Sequence, residues 1–439
     1  MNLAAESYIK YIANQPTIKK SGRVTQIVGL TIESNGPDAK LGEICHLYPT
    51  NSDHPIEAEV VGFKDNKVLL MPLSEVTNIG PGCRVVATGH PLKVKVGSNV
   101  LGQVLDGLGN PLDGSSLPKG LIPYNTENQP PNPMTRPRIT EPISVGVKAI
   151  DGLLTVGKGQ RIGIFAGSGV GKSTLMGMIA RNTTADINVI ALIGERGREV
   201  RDFIERDLGP EGLKRSVVVV ATSDQPALQR IKGAMTATAI AEYFREQGKN
   251  VMLMMDSVTR FAMAQREVGL AVGEPPAQKG YTPSVFAMLP KLLERSGTSD
   301  KGSITAFYTV LVDGDDMNEP IADTTRGILD GHIVLDRKIA HKGQYPAINT
   351  LQSVSRVMNE IVPFEHRKAA EKLRSMLASY QASEDLINIG AYKRGANKDI
   401  DQAIAMYPTV LEFLKQETHD APSFEESRDL LMSQFGGNS

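Results

Sequence analysis

The chain has no tryptophan, and aromatic residues make up only 5% of its 439 positions. It has two cysteines, Cys45 and Cys83, far apart and without metal-ligand spacing. That argues against a disulfide framework or a zinc site and for two buried or half-buried thiols in a reducing cytosol. Net charge is almost absent, with 48 Lys+Arg against 49 Asp+Glu. A protein that lives on nucleic acid or anionic lipid carries a basic excess, and this one does not. No run of about 18 apolar residues occurs, so no transmembrane helix is expected. The opening MNLAAESYIK lacks a charged stretch followed by an apolar core, so no signal peptide is expected. What is present, 41% hydrophobic and 22% charged residues, is the balance of a soluble globular chain of about two to four domains.

Residues 1–20 carry apolar positions at Leu3, Tyr8, Ile9, Tyr11 and Ile12. The spacing predicts a short, weakly amphipathic helix that docks or waits for a partner, since it is too short to be stable alone. From residue 21 to 96 the runs GRVTQIVGLTIES, GEICHLYP, IEAEVVGFKDNKVLLMPL and GCRVVATG are β-rich and broken by turn residues. They predict a small β-barrel. An RNA-binding barrel would need basic residues interleaved with aromatics on one face. Here Arg23, Lys40, Lys64, Lys67, Arg84, Lys93 and Lys95 are matched by Glu33, Asp38, Glu43, Asp53, Glu57, Glu59, Asp65 and Glu75, and aromatics are sparse. A nucleic-acid role is therefore disfavoured.

Residues 108–142, rich in Pro, Gly and Asn, read as a long irregular connection that wraps a surface. Strands and helices then alternate to about Arg356. Strands are expected at RIGIF, INVIALI, SVVVVAT, NVMLMMD, SITAFYTVLV and HIVLD. The longest intervening helix should be capped by Asp224, carry Pro226 in its first turn and stop at Gly248. Nearly continuous apolar strands alternating with helices imply a mostly parallel sheet covered on both faces, an α/β fold. Beyond Pro363 only helical periodicity remains, which predicts a C-terminal helical domain.

Three features carry chemistry. RIGIFAGSGVGKSTLMGMIAR reads as strand, glycine-rich loop and helix. The backbone amides of Gly167, Ser168, Gly169, Val170, Gly171, Lys172, Ser173 and Thr174 can curl around phosphates at a helix N-terminus. Lys172 would reach the β- and γ-phosphates and Ser173 would coordinate Mg²⁺. The motif's first position is Ala166 rather than glycine; the later glycines carry the loop. Asp256 ends the apolar run NVMLMMD, where a carboxylate points at the ligand crevice and can hold Mg²⁺ through water. It could equally cap the helix that follows, and both can hold. Glu195 follows the apolar run INVIALI and a glycine, and can polarise an attacking water. Taken alone, Gly-Glu-Arg fits a surface ion pair as well as a catalytic base; beside the phosphate loop and Asp256, the base reading prevails.

The stretches AGSGVGKST, GERGREV, SDQPALQR, MMDSVTRFAMAQREVGLAVGEPPAQKGYTPSVF, DGDDMNEPIADTTRGILDGHIVL, YPAINTLQSVSRVM and INIGAYKRG resemble one family over nearly the whole chain. It is the rotary-type ATPase superfamily, and within it the ATPases of flagellar type III protein export; the ATPases of virulence-type secretion share these motifs. The resemblance implies a RecA-like P-loop core, with domains at 21–96 (barrel), 97–363 (ATPase, including the wrapping linker) and 364–439 (helical). It implies a cytoplasmic ATPase at the inner face of the membrane that couples hydrolysis to chaperone release and export. It implies a homohexamer with ATP at subunit interfaces and Mg²⁺ as cofactor. The implied partners are a stalk-like dimeric regulator at residues 1–20, a central coiled-coil subunit, the export gate and chaperone–substrate complexes. Arg356 matches an arginine finger, or is a helix-start arginine paired with Glu360. Tyr345 matches an adenine-stacking residue, or simply packs. Arg196 and Arg260 match γ-phosphate contacts, or pair with Glu199 and Glu267. The acidic group Asp313, Asp315, Asp316 and Glu319 lacks the pattern of a calcium loop and reads as a solvated loop; the resemblance places it at the ring's central channel, facing the central coiled-coil subunit. A non-catalytic ring subunit would usually lack a base such as Glu195, and a hexameric RNA translocase would need the basic aromatic barrel that is missing.

Overall fold

The computed structural model describes residues 21–50, 54–312, 314 and 316–436. The helix expected over residues 1–20 lies outside them, as do Asp313 and Asp315. The described chain forms two compact units, one built on the barrel and one running from Lys93 onward except for residues 268–274.

Six antiparallel strands close the barrel: β1 (Ser21–Val28), β2 (Thr31–Asn35), β3 (Glu43–Tyr48), β4 (Ile56–Lys64), β5 (Lys67–Pro72) and β6 (Arg84–Pro91), in the order β1-β2-β5-β4-β3-β6. Closure leaves no free sheet edge. The β4–β5 hairpin turns through Asp65 and Asn66, both with positive φ, the conformation a two-residue hairpin loop requires. Val24, Ile32, Leu47, Val60, Leu70 and Val85 fill the interior together with both cysteines, which are free thiols. Burial pushes the Cys45 thiol up to about 12, so it stays protonated and unreactive at neutral pH.

In the second unit, β7 (Lys93–Val96) pairs with β9 (Ile122–Asn125) as a separate ribbon. β8 (Val104–Asp106) instead joins the main sheet, whose further strands are β10 (Arg161–Ala166), β11 (Ile187–Ile193), β12 (Ser216–Ala221), β13 (Asn250–Asp256), β14 (Gly297–Thr298), β15 (Ser303–Leu311), β16 (Gly331–Leu335) and β17 (Val354–Ser355). Their order is β17-β16-β10-β15-β13-β11-β12-β8. From β16 to β8 every neighbouring pair is parallel; β14 and β17 pair antiparallel. All six strands expected from apolar runs are present, and β11 and β12 are buried at every residue. Parallel strands covered on both faces need that continuity.

The helix Ala227–Glu246 departs from expectation at its start. Its N-cap is Pro226, and no side chain caps it. Asp224 lies in the preceding turn, where a hydrogen bond with Thr222 holds its carboxyl below the usual range. Gly248, with φ of 78°, ends the helix as expected. Beyond Pro363 the helices Phe364–Asn388, Lys398–Leu414 and Phe424–Phe435 follow, the last opened by a reciprocal Ser423–Glu426 capping box. Phe413, Leu431 and Phe435 belong to one continuous apolar core with Ile164 and Leu175 of the sheet layer. The sheet layer and the C-terminal helices are therefore packed as one body.

Candidate active site

The glycine-rich loop leaves β10 and enters the helix Lys172–Asn182. Gly171, its N-cap, sits at φ 91° and ψ 20°, and Gly169 has φ of 78°. Both are left-handed conformations that a side chain would strain. The loop and the helix N-terminus border one cleft of about 510 Å³. Gly167, Ser168, Gly169, Gly171, Lys172, Ser173 and Thr174 line it. Val170 is buried and lines a smaller adjoining pocket instead.

Lys172 and the two carboxylates meet in the cleft. Its ammonium lies 3.2 Å from Glu195 Oε1 and 2.5 Å from Asp256 Oδ1. Topology brings them together: β11 and β13 are adjacent and place Leu192 opposite Asp256, so Glu195 and Asp256 project from the same carboxyl edge of the sheet. The turn that carries Glu195 is held on both sides. Gly194 N–H donates to the Ala221 carbonyl at 2.7 Å, Ser223 N–H to the Glu195 carbonyl at 3.1 Å, and Ser257 N–H to the Ile193 carbonyl at 3.3 Å. Gly194 also permits a close approach, since a Cβ there would lie 2.7 Å from Arg260 Cβ.

Burial alone would lower the Lys172 pKa, but attraction to Asp256 and Glu195 more than offsets it and the net shift is upward. Burial raises the Asp256 carboxyl, and Lys172 and a hydrogen bond from Thr309 only partly oppose it. Thr309 Oγ1 donates to Asp256 Oδ1 at 2.7 Å. The alternative capping role of Asp256 goes to its neighbour: Arg260 N–H donates to Ser257 Oγ at 3.2 Å.

The arginines separate. Arg196 lies at the cleft but is exposed and pairs with Glu199 at 3.5 Å. Arg260 also lines the cleft. Glu267 pairs with Arg230 at 2.7 Å, not with Arg260. The Arg260 Nε is buried without a hydrogen-bond partner, and Nη1 lies 3.9 Å from Met263 Sδ. Arg356 is exposed and does not line the cleft; its guanidinium donates to the Arg326 carbonyl at 3.3 Å, and no ion pair to Glu360 forms. In the acidic group, Asp316 and Glu319 each lie 3.7 Å from Lys279.

Tyr345 lies on a loop pinned by Asp336, whose N–H donates to the Ala347 carbonyl at 2.9 Å and whose carboxylate accepts from Asn349 Nδ2 at 3.0 Å. It borders the smaller pocket, about 110 Å³, with Val170, Leu175, Met178, Leu335, Pro346 and Ala347 as apolar walls. Gly171 and Thr174 line both pockets, which makes one continuous site with a charged end and an apolar end. Thr309 was not anticipated; the available signal was a threonine two residues before the end of a buried apolar strand.

With this geometry in hand, similarity to known proteins decides the lineage. Residues 146–355 match the ATP synthase alpha/beta family, nucleotide-binding domain, and residues 24–89 its beta-barrel domain. This chain belongs to the ATP synthase alpha/beta family. Residues 362–433 match the T3SS EscN ATPase C-terminal domain, which places this alpha/beta family member with the secretion ATPases. It is 64% identical over 435 residues, 99% of each chain, to the flagellum-specific ATP synthase of Bacillus subtilis (strain 168). It is 52% identical over 419 residues, 94% of each chain, to the type 3 secretion system ATPase of Xanthomonas euvesicatoria. The assembled ATPase EscN of the enteropathogenic E. coli type III secretion system superposes with a TM-score of 0.89 at 47% identity, over 94% of this chain and 100% of that one. The family member described here is thus an ATPase by lineage over its full described fold.

Proposed function

We propose that this chain hydrolyses ATP to power protein export through a flagellar type III apparatus, working as a ring of identical subunits. The observation that carries the proposal is the Lys172 ammonium held between Glu195 and Asp256 at the mouth of the phosphate loop. The 64% identity to the Bacillus subtilis flagellar enzyme supports the flagellar assignment; the other flagellar relatives, at 48–53%, overlap the type 3 secretion system ATPases at 51–52%.

In this reading the loop amides and Lys172 bind the β- and γ-phosphates, the phosphate oxygens competing with the two carboxylates for the ammonium. Glu195 orients water in line with the γ-phosphorus. Arg260, which lines the cleft, meets charge on the γ-phosphate, and Arg196 lies at the rim. The donor set fits Mg²⁺: the Ser173 hydroxyl and Asp256 carboxylate are hard oxygens, and an ammonium already marks a cation position at Asp256. Those two residues would hold the ion, which when bound neutralises charge on the β- and γ-oxygens. Tyr345 stacks on the adenine above the apolar pocket. Arg356 serves the neighbouring subunit's site, a reading supported by its exposure and its place outside its own cleft.

The solved EscN structures support the assembly, being described as the assembled ATPase and as its complex with a central stalk, EscO. By analogy we assign a homohexamer around a central coiled-coil subunit, with Asp316 and Glu319 on the channel. Residues 1–20 are assigned to a dimeric regulator. The export gate and chaperone–substrate complexes are the remaining partners, and the functional domains are 21–96, 97–363 and 364–439. No helix among the described residues is long and apolar enough to cross a membrane, so attachment to the inner membrane face would come through partners.

Glu195→Gln tests the chemistry. It should keep ATP binding and ring assembly while turnover falls by about 10²–10⁴-fold; turnover close to the parent's would remove Glu195 from the base role. Specific activity should also rise with protein concentration, because a lone subunit holds half a site.

A further inference from the structure

The segment that follows the helix Lys398–Leu414 belongs to the C-terminal helical region, yet its hydrogen bonds run to the apolar end of the cleft. Gln416 lines the smaller pocket and is only 7% exposed. Its N–H donates to the Tyr345 carbonyl at 2.9 Å. Its side-chain Oε1 accepts from Lys148 N–H at 2.8 Å, and Nε2 donates to the carbonyls of Gly146 at 2.8 Å and Asp420 at 3.1 Å. Two further bonds tie the segment to the phosphate-loop helix: Arg181 Nη2 donates to the Thr418 carbonyl at 2.7 Å, and Asn182 Nδ2 to the Asp420 carbonyl at 3.3 Å.

We infer that Gln416 is the positioning residue of the nucleobase end: it holds the Tyr345 main chain in register with the phosphate loop, so that the C-terminal segment sets ATP affinity without touching the chemistry. The inference rests on the nucleotide reading above. Its physical basis is the contrast between ring and backbone. The Tyr345 side chain is half exposed and has little packing to place it, so the anchor of its carbonyl decides where the ring stands. Gln416 can act as that anchor because its own amide is held by three main-chain partners, Lys148 N–H and the Gly146 carbonyl on one other segment and the Asp420 carbonyl four residues on. A buried amide held this way is rigid, and truncating it strands the Gly146 carbonyl and the Lys148 N–H.

The experiment uses the full chain and three steady-state quantities: KM and kcat for Mg–ATP, and the inhibition constant of magnesium tripolyphosphate, which fills only the phosphate end. Gln416→Ala should raise KM by about tenfold, the loss of one to two hydrogen bonds, with kcat reduced less than about threefold and the tripolyphosphate constant unchanged. Gln416→Glu keeps the acceptor for Lys148 but loses the donor to Gly146, and should show the same split. The double variant Gln416→Ala/Tyr345→Ala should be no worse in KM than Tyr345→Ala alone, because one residue acts through the other. An unchanged KM, a KM effect additive with Tyr345→Ala, or a tripolyphosphate constant that rises with KM would each overturn the inference. Failure of the parent chain to hydrolyse Mg–ATP would instead overturn the nucleotide reading beneath it.

Discussion

The two ends of the cleft are built on opposite principles. At the phosphate end, Lys172, Glu195 and Asp256 are side chains with little exposure, in direct contact. Each enters from a loop or strand end within one stretch of the sheet. At the apolar end, the walls are apolar, Tyr345 is half exposed, and its carbonyl accepts from Gln416 N–H, whose side chain in turn donates to the Gly146 carbonyl. Buried charge is all-or-none: remove one partner and the others are stranded, at a large cost. Apolar walls and a stacked ring lose affinity by degrees. Chemistry should therefore fail abruptly at one end, and affinity should decline gradually at the other.

The largest break should come at the charged end. Lys172→Ala should abolish hydrolysis, and it leaves Glu195 and Asp256 facing each other without a cation, so ATP binding should weaken sharply in a direct binding assay. Arg356→Ala should cost about 10³–10⁵ in rate, or roughly 4–7 kcal/mol of barrier. Because that arginine is proposed to serve a neighbour, mixing Arg356→Ala subunits with Lys172→Ala subunits should restore part of the activity; no recovery in mixed rings would remove the shared-site reading. At the base end, Tyr345→Ala should raise KM by up to about tenfold and leave kcat nearly alone, the size of a single aromatic contact. A kcat collapse there would erase the contrast between the ends.

The smallest effect concerns the support beneath the base end. Asp151 is fully buried and accepts from Val145 N–H, Gly146 N–H and Ser144 Oγ at 3.0, 3.0 and 3.1 Å. Burial dominates those donors and pushes its carboxyl up to about 7 from the ordinary 3.8. A raised folded-state value means that the folded chain holds the proton more tightly than the unfolded one. This contribution to stability is full below about pH 4 and is lost as pH rises through about 7. The melting temperature of the parent relative to Asp151→Asn should therefore fall between pH 5 and pH 8, following a loss of stability of no more than about 3 kcal/mol over that range. A pH-independent difference would show that Asp151 stays ionised throughout.

How much of this was legible follows the same division. The barrel, the six main strands and the helical C-terminus were readable because periodicity and turn residues are local signals. Asp224 misled because an Asp before a proline-led helix looks like a cap, whereas its carboxylate is satisfied by Thr222 within its own turn. The bland alternative for Arg260 failed for a reason that no spacing reveals: Glu267 is taken by Arg230, thirty-odd residues earlier. β8 went unnoticed within a short, turn-rich stretch, although it completes the sheet beside β12.

What the sequence determined by itself is the list of chemical parts: a glycine loop that only glycines permit, a lysine, and two carboxylates, one ending an apolar strand and one just beyond another. Backbone sterics and the burial of parallel strands act over a few residues, so they are written locally. What only the tertiary structure decided is which parts meet. The strand order set Glu195 and Asp256 side by side on adjacent β11 and β13, with the phosphate loop two strands away from β13. The packing of the C-terminal helices into the sheet's core brought Gln416 to Tyr345. Those encounters depend on the free energy of a whole packed core, and no short stretch of chain carries it.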